Sequence, residues 1–296
     1  MRSGTVAVIG RANAGKSTLI NVLVGEKVAI VSPKPQTTRD RILGVLTRAD
    51  YQIVFVDTPG IYKSRNALTE GMMKTTETTS RDVDAILYVL DGHAGVREED
   101  AQLILKYCAL GAPLIVAFTK TDIMPAQNIP EEVRQLGEAG VQADIYPVSA
   151  RRGKGLKKLE AAIAAMLPEG DKLFPDDIVS DRSEKFMLAE LMREKILLKY
   201  DEEIPHGVAV VVHTFRKRED GVYEVGLDIV CEKQAHKAIL IGKQGRALKE
   251  AASFARKDME KFLGAKVFLT TYVKVREDWR DSARLIRELG YGEDEA

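Results

Sequence analysis

Gly10-Arg11-Ala12-Asn13-Ala14-Gly15-Lys16-Ser17 has the residue types and spacing of a phosphate cradle. In G-x-x-x-x-G-K-[ST] the glycines let backbone N–H groups curl toward phosphate oxygens, the lysine reaches the β- and γ-phosphates, and the hydroxyl ligates Mg²⁺. Lys16 and Ser17 fill those last two roles, and Thr18 opens the following helix. Two later stretches carry matching chemistry. Thr38, in Gln36-Thr37-Thr38-Arg39-Asp40, can close over a γ-phosphate and place a second hydroxyl on Mg²⁺. In Asp57-Thr58-Pro59-Gly60 the carboxylate can sit behind the Mg²⁺ ligands, while Gly60 offers its N–H to the γ-phosphate.

Thr119-Lys120-Thr121-Asp122 and Ser149-Ala150 select the base. A carboxylate at Asp122 accepts both N1–H and N2–H₂ of guanine. Adenine has neither donor and would leave the carboxylate unpaired, so such a site can discriminate by as much as about 10⁴–10⁵. Lys120 lays its stem along the base, and the Ala150 N–H meets O6. A lone Lys-x-Asp at a strand end is commonly just a solvated turn; agreement with the motifs before it is what gives it weight.

Positioning these residues takes strands that end where the motifs begin. Thr5–Ile9 is an apolar run into the P-loop, and 18–24 has helical periodicity. Strands are expected at 41–47, 52–56, 85–91, 113–118 and 144–148. Helices are expected at 98–110, from about 130, and at 156–167, and a loop running into a helix over 61–80. Alternation of apolar strands and amphipathic helices predicts an α/β domain over 1–169: a mostly parallel sheet, helices on both faces, ligand-binding motifs at the strands' C-terminal ends.

Pro168-Glu169-Gly170-Asp171 breaks the pattern, and 170–182 reads as a linker. Over 183–296 the expected order is a helix (183–200), strands (208–215 and 222–231), a short helix (234–240), a helix to about 263, a strand (266–274) and a helix over 277–289. Ile241-Gly242-Lys243-Gln244-Gly245-Arg246 joins the two central helices. That order around G-x-x-G is the order of an α+β type II KH domain, whose loop clamps the backbone of about four nucleotides. Two glycines permit close approach, and Lys243, Arg246 and Lys249 supply charge. Between Lys233 and Arg276 there are eleven basic and three acidic residues, while the whole chain holds 44 of each sign. That local excess is an electrostatic footprint for nucleic acid. No aromatic stacking is evident around the G-x-x-G, so reading would rest on base-edge hydrogen bonds over an apolar groove.

The chain resembles the translation-factor-type GTPases and, more narrowly, the Era family. Gly10–Ser17, Gln36–Asp40, Asp57–Gly60, Thr119–Asp122 and Ser149-Ala150 match that family's five motifs in order, and the KH-type half extends the likeness over nearly the whole chain. The resemblance implies a GTPase that assists 30S ribosomal-subunit assembly and binds the 3′ end of 16S rRNA. It further implies Mg²⁺ dependence, stimulation by RNA and K⁺, a monomer, and a cytoplasmic protein able to associate with the inner membrane face. Lys16, Thr38, Gly60 and Asn13 would be its catalytic set. Ala12 stands where the family usually has Pro, and Thr119 where it usually has Asn. That Asn tethers the base pocket to the P-loop, so Thr119 is expected to loosen guanine binding without altering specificity. Ile61 occupies the place of the water-positioning Gln of Ras-like enzymes and has no polar atom to orient water. Unassisted turnover should then be at or below about 10⁻⁴ s⁻¹. Relatives with an apolar residue there bind K⁺ through a P-loop Asn, which Asn13 matches.

The 296 residues suggest about two domains. Cys108 and Cys231 are far apart and read as reduced thiols, and no signal peptide or membrane-length apolar run is visible. The four histidines have no metal-ligand spacing. A metabolic P-loop kinase would lack the guanine motifs, and a plain RNA-binding module would not retain every phosphate and Mg²⁺ residue.

Overall fold

In a computed structural model, which describes residues 1–61 and 66–291, the apolar runs become two separate sheets in two compact units. The first unit takes in most of the chain up to Asp181. Its elements are β1 (Arg2–Ile9), α1 (Lys16–Val24), β2 (Ile42–Thr47), β3 (Tyr51–Asp57), α2 (Ala67–Thr79), β4 (Ala85–Asp91), α3 (Glu98–Cys108), β5 (Leu114–Thr119), α4 (Ile129–Glu138), β6 (Asp144–Pro147) and α5 (Leu156–Met166). The sheet runs β2-β3-β1-β4-β5-β6, with β2 antiparallel to β3 and the other pairs parallel.

Alternation along β1 shows why both faces are covered. Val6 and Val8 point into a core with Leu19 and Ile20 of α1 and Leu159 and Ile163 of α5. Ala7 and Ile9 point into the opposite core, with Ile104 of α3 and Leu136 of α4. Residues 62–65, within the stretch expected as a loop into a helix, lie outside the described residues, as does the acidic end of the chain at 292–296.

Of residues 170–182, expected as a linker, those up to Asp181 belong to this first unit and bond to its sheet. The Val45 N–H donates to Val179 O (2.9 Å), and the Leu43 N–H to Asp181 Oδ1 (3.0 Å). Gln52 is fully buried and holds the segment from both ends of its amide. Oε1 accepts from the N–H groups of Leu173 (2.7 Å) and Phe174 (2.9 Å), and Nε2 donates to Phe174 O (2.8 Å).

The second unit holds the chain from Arg182, with Ile30–Thr37 and 66–71, so the first residues of α2 group with it and the helix from Met72 on with the first unit. Its order is α6 (Glu184–Lys199), β7 (Ala209–Lys217), β8 (Tyr223–Cys231), α7 (Gln234–Ile241), α8 (Arg246–Leu263), β9 (Val267–Val275) and α9 (Ala283–Glu288). The sheet runs β7-β8-β9, antiparallel then parallel. Leu191 and Ile196 of α6 and Ala255 and Met259 of α8 pack on Val225, Leu227 and Ile229 of β8. Ser183 caps α6 by accepting from the Phe186 N–H (3.2 Å). Also within this unit, Arg193 of α6 is fully buried, pairs with Glu190, and donates to the carbonyls of Gln36 and Thr37.

The single helix expected over 277–289 is instead a 3₁₀ turn (Trp279–Asp281) followed by α9. Asp278 takes a left-handed φ of 50°, the buried Trp279 donates Nε1–H to Gly207 O (2.9 Å), and Ser282 caps α9 through the Leu285 N–H. Burying the indole turns the chain inward, and the helix restarts only after that turn.

Replacing Gln52 with Ala leaves two N–H groups and a carbonyl without the amide that pairs them. About 2–3 kcal/mol of stability should be lost. Urea unfolding of the full chain, followed by the transition of the first unit, checks this.

Candidate nucleotide site and nucleic-acid groove

The P-loop is held by close backbone contact. Gly10 has φ of 153°, and a Cβ there would lie 2.3 Å from Val89 O of β4, so only glycine fits. Asn13 and Gly15 complete the curl with φ of 64° and 95°. Gly15 is the N-cap of α1, yet no side chain caps that terminus and no acidic residue sits in its first turn. The first N–H groups of α1 are thus left for an anion, supported by the helix dipole. The Arg11 side chain turns away to Asp100 of α3 (2.8 Å), a carboxylate that also accepts from Tyr88 Oη (2.9 Å). Arg11 therefore anchors the loop through its side chain, while its backbone belongs to the cradle.

Lys16 is 6 % exposed and donates Nζ–H to Gly10 O (3.1 Å) and Arg11 O (3.2 Å). Burial lowers its pKa to about 8, against the opposing pull of the Asp57 carboxylate. Asp57 is fully buried, and desolvation pushes its carboxyl upward while Lys16, Ser17 and Thr38 pull it down. Ser17 Oγ donates to Asp57 Oδ2 (2.7 Å) and lies 2.9 Å from Thr38 Oγ1, which itself reaches Asp57 Oδ2 (3.2 Å). Asp57 Oδ1 is sealed from water with no hydrogen-bond partner. Two hydroxyls and a carboxylate with an unsatisfied oxygen form an all-oxygen set suited to Mg²⁺, which takes few protein ligands and completes its shell with phosphate and water.

Gly60 lies against the cradle. A Cβ there would be 2.7 Å from Ala12 Cα and 3.2 Å from Lys16 Nζ. Thr58 Oγ1 donates to Val8 O (2.9 Å), fixing the turn at the end of β3, and the Ile61 N–H donates to Gly10 O (3.2 Å). The Ile61 side chain packs with the apolar core under α3 and α4.

At the base end, the buried Thr119 places Oγ1 2.7 Å from Ala14 O in the P-loop and 3.0 Å from Leu90 O at the end of β4. The tether that the resemblance assigns to Asn is made here by a hydroxyl. Lys120, with φ of 58°, donates to Asn13 O (2.7 Å) and pairs with Asp91 (2.6 Å). Ser149 Oγ donates to Asp122 Oδ1 (2.7 Å), and this hydrogen bond above all lowers the Asp122 pKa. A carboxylate kept ionised and facing outward is the acceptor that guanine N1–H and N2–H₂ require. Ser149 itself is set by reciprocal backbone bonds with Lys154 (3.0 and 3.1 Å), and Ala150 follows it directly. Sequence reasoning missed these supports: Asp100, Tyr88, Asp91 and Lys154. Asp91 alone had a usable signal, an acid at the end of an apolar strand.

In the second unit, α7 ends at Ile241, and Lys243–Gly245 form one 3₁₀ turn before α8. Gly242 has φ of 69°, and a Cβ on it would meet Ala247 Cβ at 2.6 Å. Gln244 and Gly245 follow with φ of 54° and 73°, and the Gly245 N–H donates to Gly242 O (3.1 Å). Gly245 caps α8 without a side-chain bond, and no acid occupies that helix's first turn. Beyond it a groove of about 470 Å³ opens between α8 and β9. Leu248, Ala252 and Leu269 form its apolar floor, and Lys249 and Arg256 its charged sides. Ala252 and Leu269 were not singled out from the sequence, and Arg256 entered only through the excess of basic residues between Lys233 and Arg276. The Leu248, Ala252, Arg256 spacing of four along α8 was the available signal. Ile241 and Arg246 flank the turn.

Fold and site together define a P-loop GTPase domain followed by a type II KH domain. A profile described as "50S ribosome-binding GTPase" matches residues 5–120, and a KH-domain profile matches residues 203–280. GTPase Era of Clostridium kluyveri is 42 % identical over 98 % of this chain and 99 % of its own length. That of Caldanaerobacter subterraneus subsp. tengcongensis is 44 % identical over 99 % of each. The chain belongs to the GTPase Era family. Two solved Era structures superpose with TM-score 0.95 at 36 % identity, covering 99 % of this chain and all of theirs. One is a point variant of Aquifex aeolicus Era bound to GDP·AlF₄⁻, and the other is Era with MgGDPNP and nucleotides 1506–1542 of 16S rRNA.

Two outcomes are expected. Free Lys16 loses its proton near pH 8, whereas in the unfolded chain it does so near 10.5. Between those values the unfolded state binds more protons, so this group's contribution to stability rises with pH. A bound phosphate restores the charged form, and nucleotide binding at about pH 9 should take up close to one proton, with little uptake at pH 7. Calorimetry in buffers of different ionisation enthalpy reads this, and heats independent of buffer would mean that Lys16 is charged in the free protein. In the groove, Gly245→Asp has open space around its new Cβ but must hold the left-handed φ of 73°, so it should weaken RNA binding at least 10-fold at a modest cost in stability. Gly242→Asp must displace Ala247 and should lower the unfolding temperature further. Filter binding and thermal unfolding separate the two.

Proposed function

We propose that this chain binds GTP with Mg²⁺, hydrolyses it slowly, and binds the 3′ end of 16S rRNA through its KH groove during 30S subunit assembly. The observation that carries the nucleotide reading is the Asp122–Ser149 pair, a carboxylate held ionised by a 2.7 Å hydrogen bond on the same side of the sheet as the P-loop. Lys16 and the N-terminal N–H groups of α1 bind the phosphates. Ser17 and Thr38 would hold Mg²⁺ with Asp57 behind them, and the bound ion would supply positive charge against the β- and γ-phosphate oxygens. Gly60, pressed on Ala12, aims its N–H at the γ-phosphate.

Slowness follows from Ile61. With a partly buried, wholly apolar side chain packed against the core, nothing at that position orients the attacking water. A potassium ion at Asn13, which is exposed on the P-loop, would supply the missing positive charge near the transferred phosphoryl group. RNA in the KH groove provides the occasion for turnover, so that hydrolysis serves as a timer. The support for RNA is the apolar groove flanked by Lys249 and Arg256 beside an uncapped helix terminus, together with the rRNA complex of the Era relative.

The test is one turnover assay with two substrates and two salts. Xanthine presents a carbonyl where guanine presents N2–H₂, so Asp122→Asn, which supplies an amide donor, should lose GTP turnover by at least 10³-fold and gain XTP turnover. Wild-type GTP turnover should rise about 10-fold when K⁺ replaces Na⁺. Unchanged GTP turnover in the variant would remove Asp122 from the base pocket, and equal rates in both salts would remove the potassium ion.

A further inference from the structure

Helices α6, α7 and α8 cover one face of the β7–β8–β9 sheet, and the groove lies on that side. Strand register sets three rows across the other face: Arg216, Glu224 and Phe268; Thr214, Gly226 and Thr270; Val211, Asp228 and Tyr272. Tyr272 is 56 % exposed and Phe268 49 %, although large rings are ordinarily drawn into a core.

Their surroundings are organised. The register shifts between Val212 and Thr214, and there His213 lays its imidazole 5.8 Å from the Tyr272 ring centroid, tilted by 43°. Gly226 makes room for it, since a Cβ at that position would fall 2.4 Å from His213 Cε1. The Arg218 guanidinium stands 4.7 Å from the Phe268 centroid. Arg216 and Arg218 share Glu224, and Lys274 pairs with Asp228. Three cations against two carboxylates leave these groups with an excess of positive charge, and one of the cations, Arg218, is held beside a ring.

We propose that this outward face is a second single-stranded RNA contact, which stacks nucleobases on Tyr272 and Phe268 and meets phosphates with Arg216, Arg218 and Lys274. The inference rests on the RNA reading above and extends it. Rings flanked by imidazole and guanidinium offer π-faces that accept any base. A KH groove holds about four nucleotides, whereas the RNA in the Era complex spans nucleotides 1506–1542. Such an RNA extends well beyond four nucleotides, and this face would offer it a second surface.

The test compares two RNAs on the full chain by fluorescence anisotropy. One covers nucleotides 1506–1542, and the other is an oligonucleotide of about six residues from the same stretch, enough to fill the groove. Tyr272→Ala combined with Phe268→Ala should weaken the long RNA about 10-fold or more, leave the short one unchanged, and keep the thermal unfolding temperature. Tyr272→Phe should bind both RNAs like the wild type. An unchanged affinity of the double variant for the long RNA overturns the proposal and points to a protein partner for this face. Equal loss for both RNAs also overturns it, because the rings would then be supporting the groove. Failure of the wild type to bind either RNA would instead sink the groove reading itself.

Discussion

The nucleotide site depends on how closely backbones pack where the strands end. Gly10 presses on the Val89 carbonyl and Gly60 on Ala12, at separations that leave no room for a Cβ. Such contact has two effects. It fixes the P-loop against β4 and the turn after β3 against the P-loop, with no flexible side chain in between. It also brings Lys16, Ser17, Thr38 and Asp57 close enough that their charges and lone pairs must satisfy one another. They do so incompletely. A lysine pushed down by burial, a carboxyl pushed up by it and a sealed carboxylate oxygen without a partner are what a site for an anion and a divalent cation costs a protein that lacks them.

The second unit meets its own ligand problem by the same local means. Both α1 and α8 begin at a left-handed glycine, have no side-chain cap, and carry no acid in the first turn. The helices α6 and α9 begin at capping serines. Capping satisfies the first N–H groups of a helix and is worth about 1 kcal/mol. Helix α5 has the same bare start, at Gly155, so a bare start alone does not mark a site. At α1 and α8 the uncapped donors lie where phosphates are proposed, one beside Lys16 and the other beside Lys243. On the proposed reading, two unrelated folds use one device, a tight turn into a bare helix N-terminus with a lysine beside it.

How much of this was legible follows from the kind of interaction involved. The strand ends and motif loops could be read because period-2 and period-3.6 patterns place Gly10, Asp57, Thr119 and Ser149 at the same edge of a parallel sheet. The Gly242–Gly245 turn could be read because its helices flank it directly. The 170–182 segment could not. It binds through backbone groups to the buried amide of Gln52, and that leaves no periodicity in its own residues. The break before α9 was hidden because Trp279 is drawn inward by tertiary burial that outweighs helix propensity at Asp278. The supports of the P-loop, Asp100 and Tyr88, sit far away in sequence on elements that read as ordinary core and surface.

Thr119 shows what a change of residue type at a shared position does. From the sequence, losing Asn implied a looser tether between base pocket and P-loop. The threonine hydroxyl nevertheless lies within hydrogen-bond distance of both Ala14 O and Leu90 O. A hydroxyl has one proton, so it can donate fully to only one of two carbonyls, whereas an amide NH₂ has two. Thr119 is almost completely buried, so water does not readily serve the carbonyl left without that proton. The spacing of β4, β5 and the P-loop is therefore kept by the position of Thr119 Oγ1, while the hydrogen-bonding strength is divided. Asp122 lies outside this bond and keeps its own link to Ser149. A divided hydrogen bond at Thr119 therefore acts on how firmly the P-loop, β4 and β5 are braced, at a place separate from the Asp122–Ser149 bond on which the proposed choice of base rests.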